Sequence, residues 1–164
     1  MQEILSSREI HQKIERMAHQ LIENTFEEEQ IFLGGIEGNG SVLAESLAKV
    51  ITQNSEISVN LFQIKINKEE PWNKSIEVSA SKEELTDAYI ILVDDVINSG
   101  KTLQFALVEM LQFPTKAIKT VTLVDRKHRR FPIKANFVGL SLSTTLKERV
   151  EVDLTIGKEK AYLV

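Results

Sequence analysis

The stretch IILVDDVINSGKTL, residues 90–103, decides how this chain is read. Tyr89 and the four apolar residues after it form the most apolar strand of the sequence, with Asp94 and Asp95 at its C-terminal end. Asn98, Ser99 and Gly100 make a turn of small polar residues. Gly100 opens a helix that carries Leu103, Ala106, Leu107, Met110 and Leu111 inward and that Phe113-Pro114 stops. A helix N-terminus offers unpaired N–H groups and the positive end of a dipole, so it is a ready anion site. Ser99, Gly100 and Thr102 let the backbone approach closely and add hydroxyls. Two carboxylates beside such a cradle suit a sugar phosphate. The acids accept from vicinal hydroxyls while the turn holds the phosphate.

Working outward, Ser6 and Glu9 have capping-box spacing at the start of a first helix, whose stripe is Ile10, Ile14, Met17, Leu21 and Ile22. That helix fades at Asn24 and Thr25. Residues 31–33 read as a buried strand, followed by a glycine-rich turn over residues 34–40 and a second helix to about Gln53. Residues 57–66 alternate as a strand, and residues 67–84 read as a long polar loop of the kind that often forms a lid. Residues 118–124 are a further strand. Residues 135–140, 149–155 and 161–164 suggest a small extra sheet or edge strands. Strands alternating with helices imply a parallel sheet, and such sheets bind ligands at the carboxyl ends of their strands. Both the glycine turn and the Asp pair are expected there.

The 164 residues fit one α/β domain spanning 1–164. The absence of cysteine excludes disulfides and thiolate metal sites, and no direct metal-binding cluster is expected. Neither a signal peptide nor an apolar run of membrane-spanning length is evident, so a soluble, cytoplasmic protein without membrane contact is expected. The net charge of −4 provides no global field for nucleic acid. Two rival readings fail on spacing. Gly100-Lys101-Thr102 ends like a P-loop, but the first glycine of that motif falls at Asp95. In receiver domains the paired acids belong to the first strand, which here ends in glycines.

Residues 90–103 resemble the PRPP-binding signature of type I phosphoribosyltransferases. Residues 123–139, LVDRKHRRFPIKANFVG, and Arg16-Met17-Ala18-His19 resemble the pyrimidine operon regulator/uracil phosphoribosyltransferase branch. The resemblance implies a central parallel sheet flanked by helices, with a small C-terminal hood of short strands. It implies that Asp94 and Asp95 hold the ribose hydroxyls and that Asn98, Ser99, Gly100, Lys101 and Thr102 grip the 5′-phosphate. Glu37, Gly38, Asn39 and Gly40 would form the diphosphate loop. Asp125, Phe137 and Val138 would form the base site, with Phe137 stacking on the base. Lys68 would belong to the mobile active-site loop. Mg²⁺ would arrive with PRPP, the second substrate would be a nucleobase, uracil being the favourite, and the chain would form a homodimer.

Two departures qualify the resemblance. The family's Lys-Thr-Arg-Gly diphosphate turn is Glu37-Gly38-Asn39-Gly40 here, which predicts weaker diphosphate binding or a different substrate. Asn98 replaces the aspartate of purine-type members, which argues against a purine base. The second expectation, RNA-binding regulation with little catalysis, rests on Arg126, Lys127, Arg129, Arg130 and Lys134 against Asp125, locally +4, together with His19 and His128. It is the less favoured one, because the patch lacks aromatics for base stacking.

Overall fold

The computed structural model describes residues 1–164. Its elements are β1 (Gln2–Leu5), α1 (Ser7–Thr25), β2 (Gln30–Ile36), α2 (Asn39–Asn54), β3 (Ser58–Lys65), β4 (Glu77–Val78), α3 (Lys82–Leu85), β5 (Tyr89–Ile97), α4 (Lys101–Met110), β6 (Ala117–Asp125), β7 (Phe137–Ser141), β8 (Val150–Asp153) and β9 (Lys160–Leu163). The main sheet has the order β4-β3-β2-β5-β6-β7 and is parallel except for β4. A second, antiparallel sheet has the order β1-β9-β8.

Successive residues of a strand point to opposite faces, and both faces of β5 are buried. Ile91 and Val93 pack with α1 and α2, while Ile90 and Leu92 pack with Leu103, Ala106 and Met110 of α4. This double burial explains the unbroken apolar run. The α1 capping box forms as expected, with Ser6 Oγ accepting from the Glu9 N–H and the Glu9 carboxylate accepting from the Ser6 N–H.

The chain leaves β2 for β3 on one side and leaves β5 for β6 on the other. The crevice between the carboxyl ends of β2 and β5 is therefore the topological switch point, where such sheets bind ligands. Gly40 lets α2 sit close to this crevice, because a Cβ there would meet Val93 O at 2.7 Å.

Several local expectations are corrected. Gly34 and Gly35 lie inside β2, so the turn is only Glu37-Gly38. Asp94 and Asp95 lie within β5, which continues to Ile97 because its ladder with β6 runs on to Asp125. The supposed loop of residues 67–84 contains β4 and the start of α3. Strand β1 escaped notice because four residues without clear alternation give little signal; its pairing with β9 creates it.

Candidate active site

A cavity of about 270 Å³ opens at the end of β5, lined by Lys68, Asp94 and residues 96–103. Gly100 caps α4 with φ +86°, a left-handed conformation that glycine adopts without strain. Ser99 Oγ accepts from the Lys101 N–H at 3.2 Å. The N–H groups of Thr102 and Leu103 have no protein acceptor, as the first turn of a helix dictates. They leave free donors at the cavity, of the kind an anion accepts from.

Strand alternation starts the two adjacent acids on opposite faces of β5, yet their carboxylates stay within hydrogen-bonding reach of each other. Asp94 lines the phosphate cavity and is 2% exposed. Its carboxylate accepts from Lys68 Nζ at 3.2 and 3.4 Å and from the Asp95 N–H at 3.0 Å. Burial, and then the neighbouring Asp95 charge, push its pKa up to about 7, with Lys68 opposing both. Asp95 turns toward α2, where Asn39 Nδ2 donates to Oδ2 at 3.0 Å, while the Val96 N–H donates to Oδ1 at 2.8 Å.

Glu37 is exposed, and its N–H donates to Ile64 O. The N–H groups of Gly38, Asn39 and Gly40 donate to no protein acceptor, which keeps this turn available to an anion. Lys101 contributes backbone to the cavity. Its ammonium leaves, donating to Glu69 O at 2.9 Å and lying 5.7 Å from the Trp72 ring centroid.

The base site expected from residues 125–138 is not assembled in this way. Phe137 is buried in the α1 side of the core, opposite Val121 and four residues short of the level of Asp125. At the rise of a strand that is about 13 Å from the crevice. The Val138 carbonyl accepts from Arg16 at 3.2 Å. Asp125 is clamped by Arg129 through two bonds of 3.0 and 3.1 Å and by the Lys127 N–H at 2.9 Å. Arg126 turns instead to Asn98 Oδ1, Thr144 Oγ1 and Thr145 O.

The sequence marks β8 as a strand but not which of its edges is open or what that edge faces. Arg149 and Val164 exchange both backbone hydrogen bonds, so by antiparallel alternation the N–H and C=O groups of Val150 and Val152 point away from β9. β8 is an edge strand, and Asn39 Nδ2 reaches Val152 O at 2.9 Å, which puts that free edge beside Asp95. The alternation of residues 149–155 marked a strand, but only the pairing with β9 shows which edge is open.

Other cavities lie outside this crevice, among them the following two. Asn98, Ser99, Arg126, His128, Arg129, Arg130 and Leu146 enclose about 340 Å³ on the far side of the phosphate turn. A groove of about 530 Å³ between α1, α2 and the β8–β9 connection is larger, but its buried carboxylate, Glu159, is already taken by Ser7 and His11, and no helix N-terminus opens into it.

The sequence profile of the phosphoribosyl transferase domain matches residues 1–153. The chain belongs to this family. As a phosphoribosyltransferase it is 35% identical to the bifunctional protein PyrR of Haemophilus ducreyi, covering 91% of this chain and 87% of that protein. Identity to the bifunctional protein PyrR of Nostoc punctiforme is also 35%, covering 93% and 89%. Among solved structures, the hypoxanthine-guanine phosphoribosyltransferase of Bacillus anthracis superposes with a TM-score of 0.77 at 22% identity, covering 100% of this chain and 98% of that one. The hypoxanthine phosphoribosyltransferase of Trypanosoma cruzi gives 0.79 at 13% identity, covering 99% and 95%. At such identities these two likenesses establish the type I phosphoribosyltransferase fold alone.

Proposed function

We propose that this phosphoribosyltransferase transfers ribose 5-phosphate from PRPP to a pyrimidine base, uracil first among candidates. The observation that carries the reading is the pairing, in one crevice, of an anion cradle at the start of α4 with the carboxylate of Asp94, and that of Asp95 beside it. The 5′-phosphate takes the N–H groups of Thr102 and Leu103 and the hydroxyls of Ser99 and Thr102. Asp94 and Asp95, from opposite faces of β5, accept from the two ribose hydroxyls. The diphosphate lies toward Gly38, Asn39 and Gly40, where backbone N–H groups replace the cations of related turns. The free edge of β8 offers the Val152 N–H and the Val150 N–H and C=O, a donor–acceptor pattern that matches the amide edge of a pyrimidine.

The carboxylates of Asp94 and Asp95 stand within hydrogen-bonding reach of each other, and no third acid or histidine joins them in a metal-binding cluster. A Mg²⁺ held mainly by substrate oxygens would fit beside them and would supply charge neutralisation to the leaving diphosphate. The work of the chain is positioning and electrostatics: two carboxylates stand near a sugar carbon that gains positive charge as the diphosphate leaves. Diphosphate release from Mg-PRPP, measured with uracil and a panel of other bases, tests the reading. Release with a pyrimidine supports it; release only with a purine, or with none, overturns it.

A second reading is favoured by the cavity beside Arg126, His128, Arg129 and Arg130. We infer that it accepts phosphates of RNA. Binding that weakens steeply with salt supports this, and no binding at low salt removes it.

A further inference from the structure

The two sheets are tied at the crevice by one side chain. Asn39 Nδ2 donates to Asp95 Oδ2 and to Val152 O, so both hydrogens of its amide are used. The other side-chain hydrogen bonds from the rest of the protein to the small sheet and its turns come from Ser7 and His11. Both go to Glu159, beside the first turn of α1 and away from the crevice. Val150, Leu154 and Ala161 pack the small sheet onto the core, but apolar contact sets no hydrogen-bond register. Asn39 does. It opens α2, which Gly40 holds against β5, and its short amide turns inward rather than out toward an anion.

We propose that Asn39 is a positioning residue that couples β8 to Asp95, so that the edge reading the base and the carboxylate reading the ribose are held at one spacing. The inference rests on the reading of the ligand as ribose 5-phosphate joined to a base. Asp95 is oriented from two sides, by the Val96 N–H on Oδ1 and by Asn39 on Oδ2. With Asn39 removed, the Val96 N–H still holds the carboxylate, and what is lost is its registration with β8.

The test is equilibrium binding of two probes, ribose 5-phosphate and uridine 5′-monophosphate, to the full chain and to Asn39→Ala and Asn39→Asp. Asn39→Asp keeps the shape but faces Asp95 and the Val152 carbonyl with an acceptor. In the unaltered chain the base adds affinity over ribose 5-phosphate. Each variant is expected to lose about tenfold of that increment, the worth of a hydrogen bond to a charged group, while ribose 5-phosphate affinity changes by less than about threefold. A merely structural role would lower the thermal midpoint and weaken both probes alike, and that result overturns the proposal. So does an unchanged increment in both variants. If the unaltered chain binds neither probe, the functional reading beneath the proposal fails first, before any variant is compared.

Discussion

Lys68 Nζ lies 3.2 Å from Asp94 Oδ1, so a lysine from the connection after β3 covers a carboxylate buried inside β5. Asp94 nevertheless has a pKa near 7, because burial and the Asp95 charge outweigh that one partly exposed cation. The unfolded chain ionises this group near 4, whereas the folded chain keeps its proton to about 7. Between those values the unfolded state binds fewer protons, so this group makes stability fall as pH rises, with the full loss reached above 7. Asp94→Asn removes the loss. Its thermal midpoint is expected to exceed that of the unaltered chain by more at pH 8 than at pH 5, the free-energy gap widening by at most about 3 kcal/mol between them. Thermal melts across pH 5–8 check this.

The same titration reaches activity. Two ribose hydroxyls need an ionised acceptor, so turnover is expected to drop on the acid side of about pH 7. Lys68→Ala removes the cation that lowers this pKa and should move the acid limb to higher pH. A pH–rate profile of both proteins gives the answer, and an unmoved limb assigns the titration to another group.

Arg129 holds Asp125 through both oxygens and also donates to Asn98 O at 3.1 Å, behind the phosphate turn. Arg129→Ala leaves a mostly buried carboxylate without its ion partner. It should cost about 3 kcal/mol of stability and weaken ribose 5-phosphate binding through the loosened turn. Denaturant unfolding and calorimetry measure the two effects separately.

Gly100 sits at φ +86°, and a Cβ there would collide with Ile133 Cγ2. Gly100→Ala is therefore expected to destabilise the chain by about 1–3 kcal/mol and to lower phosphate affinity. Thermal melts and titration with inorganic phosphate are the measurements.

Trp72 is the only tryptophan, and its ring lies near the Lys101 ammonium and 6.4 Å from Phe105. A phosphate in the cavity draws Lys101 away from Glu69 O and the indole. Ribose 5-phosphate should then change Trp72 emission, and Lys101→Met should abolish the change. A fluorescence titration with each protein decides it.

Residues 90–103 carried most of what could be known in advance, because strand, turn and helix N-terminus are local features. Their apolar run, small polar turn and cap encode the phosphate cradle without help from distant residues. The glycine turn and the Asp pair were likewise legible as neighbours in a crevice, since a parallel sheet collects its carboxyl ends on one side. Membership of the phosphoribosyltransferase family followed from the same stretches.

The partners of those residues were not legible. Asp94 and Asp95 are adjacent in sequence, yet strand alternation gives one to Lys68 and the other to Asn39. Asp125 meets Arg129 rather than Arg126, and Phe137 sinks into the core because β7 joins β6 four residues below the crevice. The free edge of β8 exists only because β9 takes its other side and β1 takes the far side of β9. The sequence by itself determined the fold and the helix start at the crevice with its free N–H groups, since periodicity and capping act within about a dozen residues. Tertiary structure alone decided which groups meet at the crevice, since those contacts join segments as far apart as Asn39 and Val152, and only the register of distant strands sets their distance.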